Sequence, residues 1–157
     1  MIRWGAAIAL ARLGRTDSAV IVALADATAN PLEHADLPLV RFLDGDLRGY
    51  ASQVLATLAD ALTSEAFDAV LDGLFRSEQI QAFSITAAAL RLAFPQVTAP
   101  LPPFEELSDR QQRVVRVLAD LGLETWRWVN FTAMPASWNL PRQRPELRAH
   151  AGLPSPA

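Results

Sequence analysis

Any chemistry in this chain would have to start from a few carboxylates and two histidines. Asp44-Gly45-Asp46 has the D-x-D spacing that can hold a divalent cation, but a turn with Asp46 as the N-cap of the next helix explains the same residues. Glu33, His34 and Asp36 offer further ligands nearby, yet the second histidine, His150, stands in an unrelated segment, so His34 reads as a loop histidine. The chain has no cysteine, which excludes disulfides, thiolate zinc sites and cysteine nucleophiles. All 14 basic residues are arginine, so Schiff-base lysine chemistry and a P-loop lysine are excluded too. No serine has a histidine at a motif spacing, and no glycine-rich phosphate loop is present. Asn130-Phe131-Thr132 has the form of a glycosylation sequon but lacks secretory context, and reads as chance. The expectation is a protein with no catalytic centre, no cofactor and no metal site.

Binding is left. Glu65, Asp68 and Asp72 are spaced by three and four residues, which keeps three carboxylates on one stripe of a helix. The corresponding positions of an earlier helix hold Ser18, Ile21 and Ala25, with Val22 adjacent. An acidic groove beside an apolar patch suits a partner offering arginine or lysine next to a hydrophobic anchor. The competing reading is a solvated acidic face, with Ile21 and Val22 covered by a loop. Net charge is −3, which gives no general attraction to nucleic acid or anionic membrane.

The elements that would position these residues are helices. A chain of 157 residues, half of them apolar and a fifth charged, is long and apolar enough for one domain with a sizeable core. Leu47, Tyr50, Ala51, Val54, Leu55 and Leu58 fall on one stripe of a 3.6-residue helix, as do Phe67, Val70, Leu71, Leu74 and Phe75. Between the two, Thr63 can cap the second helix, with Leu62 and Phe67 at hydrophobic-staple spacing. Leu55 and Leu71, mid-stripe, are expected at the centre of the core.

An internal repeat is legible around this pair. Ile2, Arg3, Ala6, Ala9, Leu10 and Leu13 match Leu47, Arg48, Ala51, Val54, Leu55 and Leu58 at an offset of 45, and Gly14 then stops the helix. That match makes Ala9-Leu10-Ala11 part of a mature helix rather than a leader's cleavage site, and the protein reads as cytoplasmic. It leaves Trp4, Ala7, Ile8 and Ala11 on the uncovered back of the first helix, an edge expected to favour self-association or a partner. Val20, Ala23, Leu24 and Ala27 match Phe67, Val70, Leu71 and Leu74 at an offset of 47. Residues 30–45 form a loop insertion whose Leu37, Leu39, Val40 and Phe42 are apolar enough to pack down. A third unit opens at Ser77 as N-cap, with Ile80, Phe83, Ala87 and Ala88 at an offset of 33 and Arg91 breaking the match opposite Leu58. This helix is apolar nearly all round, as expected of one sandwiched on two sides.

Prolines between Pro95 and Pro103 make a stiff connection, and Ser108 to Gln111 is a capping box. It opens a helix with Val114, Val117, Leu118 and Leu121 on one face, ended by Gly122. Residues 1–121 are thus expected to form helical repeats and 122–157 a C-terminal capping segment, with Trp126, Phe131, Met134 and Trp138 packed down and fraying after about residue 152.

The helix pairs, with Arg3-Trp-Gly-Ala-Ala-Ile-Ala-Leu-Ala-Arg-Leu-Gly14, resemble bacterial HEAT repeats of the phycobilisome-lyase-like type. The segment from Asn130 through Asn139-Leu140-Pro141 to Arg148 resembles the closing segment of some such proteins, although Pro135 departs from that pattern. The resemblance implies an α-solenoid used as a binding scaffold, with second helices lining the concave face and no catalytic residues. It also implies remoter alternatives, a bilin lyase-like or DNA glycosylase-like enzyme. Against the latter stand the net charge and the placing of Trp4, Trp126, Trp128 and Trp138 where core or cap is expected. The function expected from sequence is a non-catalytic protein-binding scaffold, or else a terminal fragment or subunit of a larger solenoid.

Overall fold

A computed structural model describes residues 2–30, 47–77, 80–97 and 99–154. Among them the chain is all-helical: α1 (Ile2–Arg12), α2 (Ser18–Ala29), α3 (Leu47–Ala56), α4 (Ser64–Phe75), α5 (Ile80–Ala93), α6 (Asp109–Asp120), α7 (Leu123–Trp126), α8 (Val129–Ala136) and α9 (Arg144–His150). The insertion at 30–45 lies outside the described residues beyond Asn30, as do Asp44, Asp46, Glu33, His34 and Asp36. No helix among the described residues is long and apolar enough to cross a membrane.

Local chemistry sets the helix ends. The Thr63 hydroxyl accepts the Ala66 amide at 3.2 Å, and the staple residues Leu62 and Phe67 are both buried. At α6 the capping box is complete: the Ser108 amide donates to Gln111 Oε1 at 2.9 Å, and Ser108 Oγ accepts the Gln111 amide at 3.5 Å. Gly14 takes a φ of 78°, which lets its own amide reach Ala11 O at 2.9 Å and that of Arg15 reach Leu10 O at 3.0 Å. At the end of α4 the Ser77 hydroxyl donates back to the Leu74 carbonyl at 2.7 Å, while the capping of α5 falls on residues 78–79, outside the described residues. One expected boundary works differently: Gly122 does not stop α6, because Leu121 is already extended there and Gly122 is the N-cap of α7.

The first six helices pack as two rows. α1, α3 and α5 follow one another in one row, and α2, α4 and α6 in the other. Between the rows α2 touches α1 and α3, while α5 touches α4 and α6. The α3 and α4 stripes therefore bury mainly against α2 and α5 and much less against each other. α5 packs on α3, α4, α6 and α8, which is why it is apolar nearly all round. Leu55 and Leu71 are both buried in the continuous core.

Burial corrects three registers. In α1 the buried face is Trp4, Ala7, Ile8 and Ala11, whereas Ala6, Ala9, Leu10 and Leu13 are exposed, Leu13 to 80%. The expected core stripe and the expected sticky back are exchanged. Both faces of this helix are apolar, so periodicity could not choose between them. Packing puts Trp4, the bulkiest side chain of the helix, inside together with Ile8, and Arg12 ties the helix end to α3 through the Tyr50 hydroxyl and ring. The buried set Trp4, Ala7, Ile8 and Ala11 matches Ala51, Val54, Leu55 and Leu58 at an offset of 47, the same offset that relates α2 to α4. α5 is likewise displaced by one residue from expectation. Ile85, Ala88, Ala89 and Leu92 are the buried counterparts of Ala51, Val54, Leu55 and Leu58, an offset of 34, so Arg91 breaks nothing and points to solvent. In α6 the buried residues are Val114, Val115, Leu118 and Ala119, with Val117 only partly buried.

The C-terminal helices close over α6 and α5. The Trp126 indole N–H donates to the Leu118 carbonyl at 3.0 Å and that of Trp138 to the Phe94 carbonyl at 3.3 Å. Arg144 and Arg148 both donate to the Ala119 carbonyl, at 3.1 and 3.3 Å. These groups satisfy end carbonyls of α6 and place positive charge at the negative end of its dipole. Leu153 and Pro154 stay tied to α9: Gly152 has a φ of 67°, Leu153 donates to Arg148 O at 2.9 Å, and Arg148 donates to Pro154 O at 2.9 Å.

Candidate functional site

The outer face of α4 carries the expected carboxylates, and α6 lies beside it with arginines at a spacing of three. Asp68 meets Arg113 at 2.6 Å, and Asp72 meets Arg76 at 3.6 Å. Arg110 and Arg113 sit over the Phe67 ring at 5.3 and 5.6 Å, and Arg110 donates to the Leu62 carbonyl at 3.4 Å. Arg116 lies over the Phe104 ring at 5.1 Å. Asp68 and Asp72 are therefore not offered bare to a partner; guanidinium groups of the same chain already face them. Each such exposed pair contributes only about 0–1 kcal/mol, so what the pairs set is the charge pattern more than the stability.

Two hollows meet here, with Phe75 as their shared wall. One, of about 430 Å³ between α4 and α6, has Leu71 and Val117 among its apolar lining and Asp68, Asp72, Arg113 and Arg116 around it. The other, of about 390 Å³, runs from Ser77 past Leu121 to Leu123 and Thr125 at the start of α7. Phe75 is 66% exposed and Leu123 54% exposed, so the joined furrow has large apolar side chains open to solvent. The apolar spacing of α4 predicts Phe75 in the core stripe, and the structure turns it out. At 100° per residue it stands about 140° around the helix from Val70, which turns it out of the core.

The remaining predicted partner-binding residues are dispersed. Ile21 and Ala25 are buried in the core and offer no surface, whereas Val22 is exposed on α2. Glu65 is exposed but does not line the hollow that Asp68 and Asp72 share. Sequence reading missed Phe75, Arg113, Arg116 and Leu123 as a group. The spacing of Arg110, Arg113 and Arg116 was a usable signal; their position opposite α4 was not, because it depends on how α6 returns after the proline-rich connection.

Elsewhere the titratable groups are sparse. No cluster of three or more metal-ligating side chains occurs among the described residues. The His150 ring meets Phe104 edge-on at 6.1 Å, and burial lowers its pKa from the ordinary 6.5 while Glu105 pulls it back up. A third hollow, of about 670 Å³, lies between the turn after α1 and the turn after α3, with Arg12, Thr16 and Asp60 at its edge. No known protein family, curated protein or solved structure matches this chain.

Proposed function

We propose that this chain is a non-catalytic helical-repeat scaffold, a short HEAT-like α-solenoid with a C-terminal cap, that binds a protein partner through the furrow centred on Phe75. The two rows of alternating helices and the common offset of 47 for both members of the first two pairs support the solenoid reading. The observation that carries the binding reading is Phe75 itself, a large aromatic side chain 66% exposed between two hollows. Exposed aromatic groups in a hollow are the usual anchors of protein interfaces. The test compares the proteins retained by the parent chain and by Phe75→Ala, followed by titration of each differential protein in purified form. At least one should bind the parent directly and the variant several-fold more weakly. Identical retention by both chains would sink the furrow as the site.

The apolar outer stripe of α1 supports a second reading, self-association with another copy. Ala6, Ala9, Leu10 and Leu13 are exposed, and at the offset of 47 their counterparts are Gln53 and Ala56 on α3 and Thr57 and Asp60 in the turn after it. Thr57 and Asp60 stay exposed although α3 has a neighbour on each side in its row, so a further repeat stacked in register would leave Leu10 and Leu13 uncovered as well. A second copy laid side-on against this uncharged stripe fits better. Sedimentation at high micromolar concentration should show dimer for the parent and monomer for Leu13→Asp; a parent that stays monomeric removes this reading.

A further inference from the structure

The furrow carries a charge asymmetry that specifies its ligand, and the argument rests on the proposed binding role of Phe75. Every carboxylate lining the two hollows is already paired within the chain: Asp68 with Arg113 at 2.6 Å, Asp72 with Arg76 at 3.6 Å, Asp120 with Arg148 at 2.6 Å and Glu124 with Arg127 at 2.6 Å. Of the two guanidinium groups in the lining, Arg113 is held by Asp68. Arg116 is exposed, rests on the Phe104 ring and has no carboxylate partner among the described residues. It lines the same hollow as Phe75. We infer that the furrow takes an acidic peptide segment of a partner protein, one that seats a large apolar side chain against Phe75 and sets an aspartate or glutamate on Arg116.

Complementarity supplies the reasoning. A basic partner would have to compete with Arg113, Arg76, Arg148 and Arg127 for carboxylates those residues already hold. An acidic partner meets a cation that, among the described residues, rests on a ring face and makes no ion pair, and a ring face leaves the guanidinium edge free for a bidentate carboxylate. Leu123, at the far end of the second hollow, adds a further apolar contact along the same segment. The sign expected of the partner from the α4 carboxylates alone is thus reversed once α6 is in place.

The test is selection from a display library of random peptides of about 12 residues on the full chain, in parallel with Phe75→Ala, Leu123→Ser and Arg116→Glu variants of unchanged circular dichroism and unfolding midpoint. Peptides enriched on the parent should carry leucine or an aromatic residue within a few positions of aspartate or glutamate. Enrichment should be lost on Phe75→Ala and weakened on Leu123→Ser, and on Arg116→Glu the acidic residue should give way to arginine or lysine. A resynthesised parent-selected peptide should bind Arg116→Ala roughly fivefold more weakly at low salt, with the difference shrinking as salt is raised. Peptides that require Phe75 but carry no acidic residue, or basic ones, would keep the furrow as the site and overturn its charge preference. Peptides indifferent to Phe75, or no enrichment at all, would overturn both.

Discussion

His150 and Asp68 show how far single side chains depend on what packs against them. His150 Nε2 is buried without a hydrogen-bond partner among the described residues, and burial lowers its pKa below 6.5 against the opposing pull of Glu105. The imidazole therefore stays neutral in the folded chain where the unfolded chain has begun to take up a proton. Below 6.5 the unfolded state holds more protons than the folded one, so this stabilisation is fully present above 6.5 and declines as the pH falls toward the lower folded value. Urea midpoints followed from neutral pH downward should drop for the parent and drop less for His150→Phe; parallel curves would mean another group governs the acid limb. Asp68 and Asp72 look interchangeable with any surface acid until their partners are seen. Reversing both to arginine sets positive charge beside Arg113 and Arg76, so the double variant should lose on the order of 1 kcal/mol. Asp68→Asn with Asp72→Asn should lose less, and equal losses in denaturant titration would show that the ion pairs are not the cause.

At the scale of elements, the decisive case is the rotation of α1. Two stripes of this helix are apolar, and only one enters the core. Ile8→Ala removes a buried side chain and should cost about 2–5 kcal/mol, as should Leu55→Ala at the equivalent position of α3. Leu13→Ala removes an exposed one and should change stability by no more than about 0.5 kcal/mol. If Leu13→Ala proved the more costly in urea unfolding, the helix would be rotated the other way in solution. The sequence holds no internal check on this register, because a turn two residues longer in the second pair accommodates an offset of 47 for the second helices beside 45 for the first. The shorter offset won on residue similarity because Leu10 and Leu13 look more like Leu55 and Leu58 than Ile8 and Ala11 do.

Over the whole molecule, buried contacts run without interruption from Trp4 to Ala151. Long repeat arrays unfold in blocks, but α5, which touches both rows and α8, couples the two ends of this short one. Chains keeping only Trp4, or only Trp126, with phenylalanine at the other tryptophans, should give coincident urea midpoints by fluorescence. Separate midpoints would show that the N-terminal pairs and the C-terminal helices melt as independent blocks.

Hydrophobic spacing determined by itself that the described residues are helical, where α2, α3, α4 and α6 run, and that Ala51, Val54, Leu55, Phe67, Val70, Leu71 and Leu74 reach the core, while Thr63 and the Ser108–Gln111 box begin their helices as their spacing implies. Those features depend on residues within a turn or two of one another, so local sequence contains their cause. The rotation of α1 and the meeting of Asp68 with Arg113 were decided only by tertiary structure. A helix apolar on two sides has no local preference for either, and residues 45 positions apart become neighbours only when the intervening helices have packed. The charge pattern of the proposed furrow belongs to that second class: Arg116 is distinguished not by its own sequence context but by the pairing of every carboxylate that lines the two hollows.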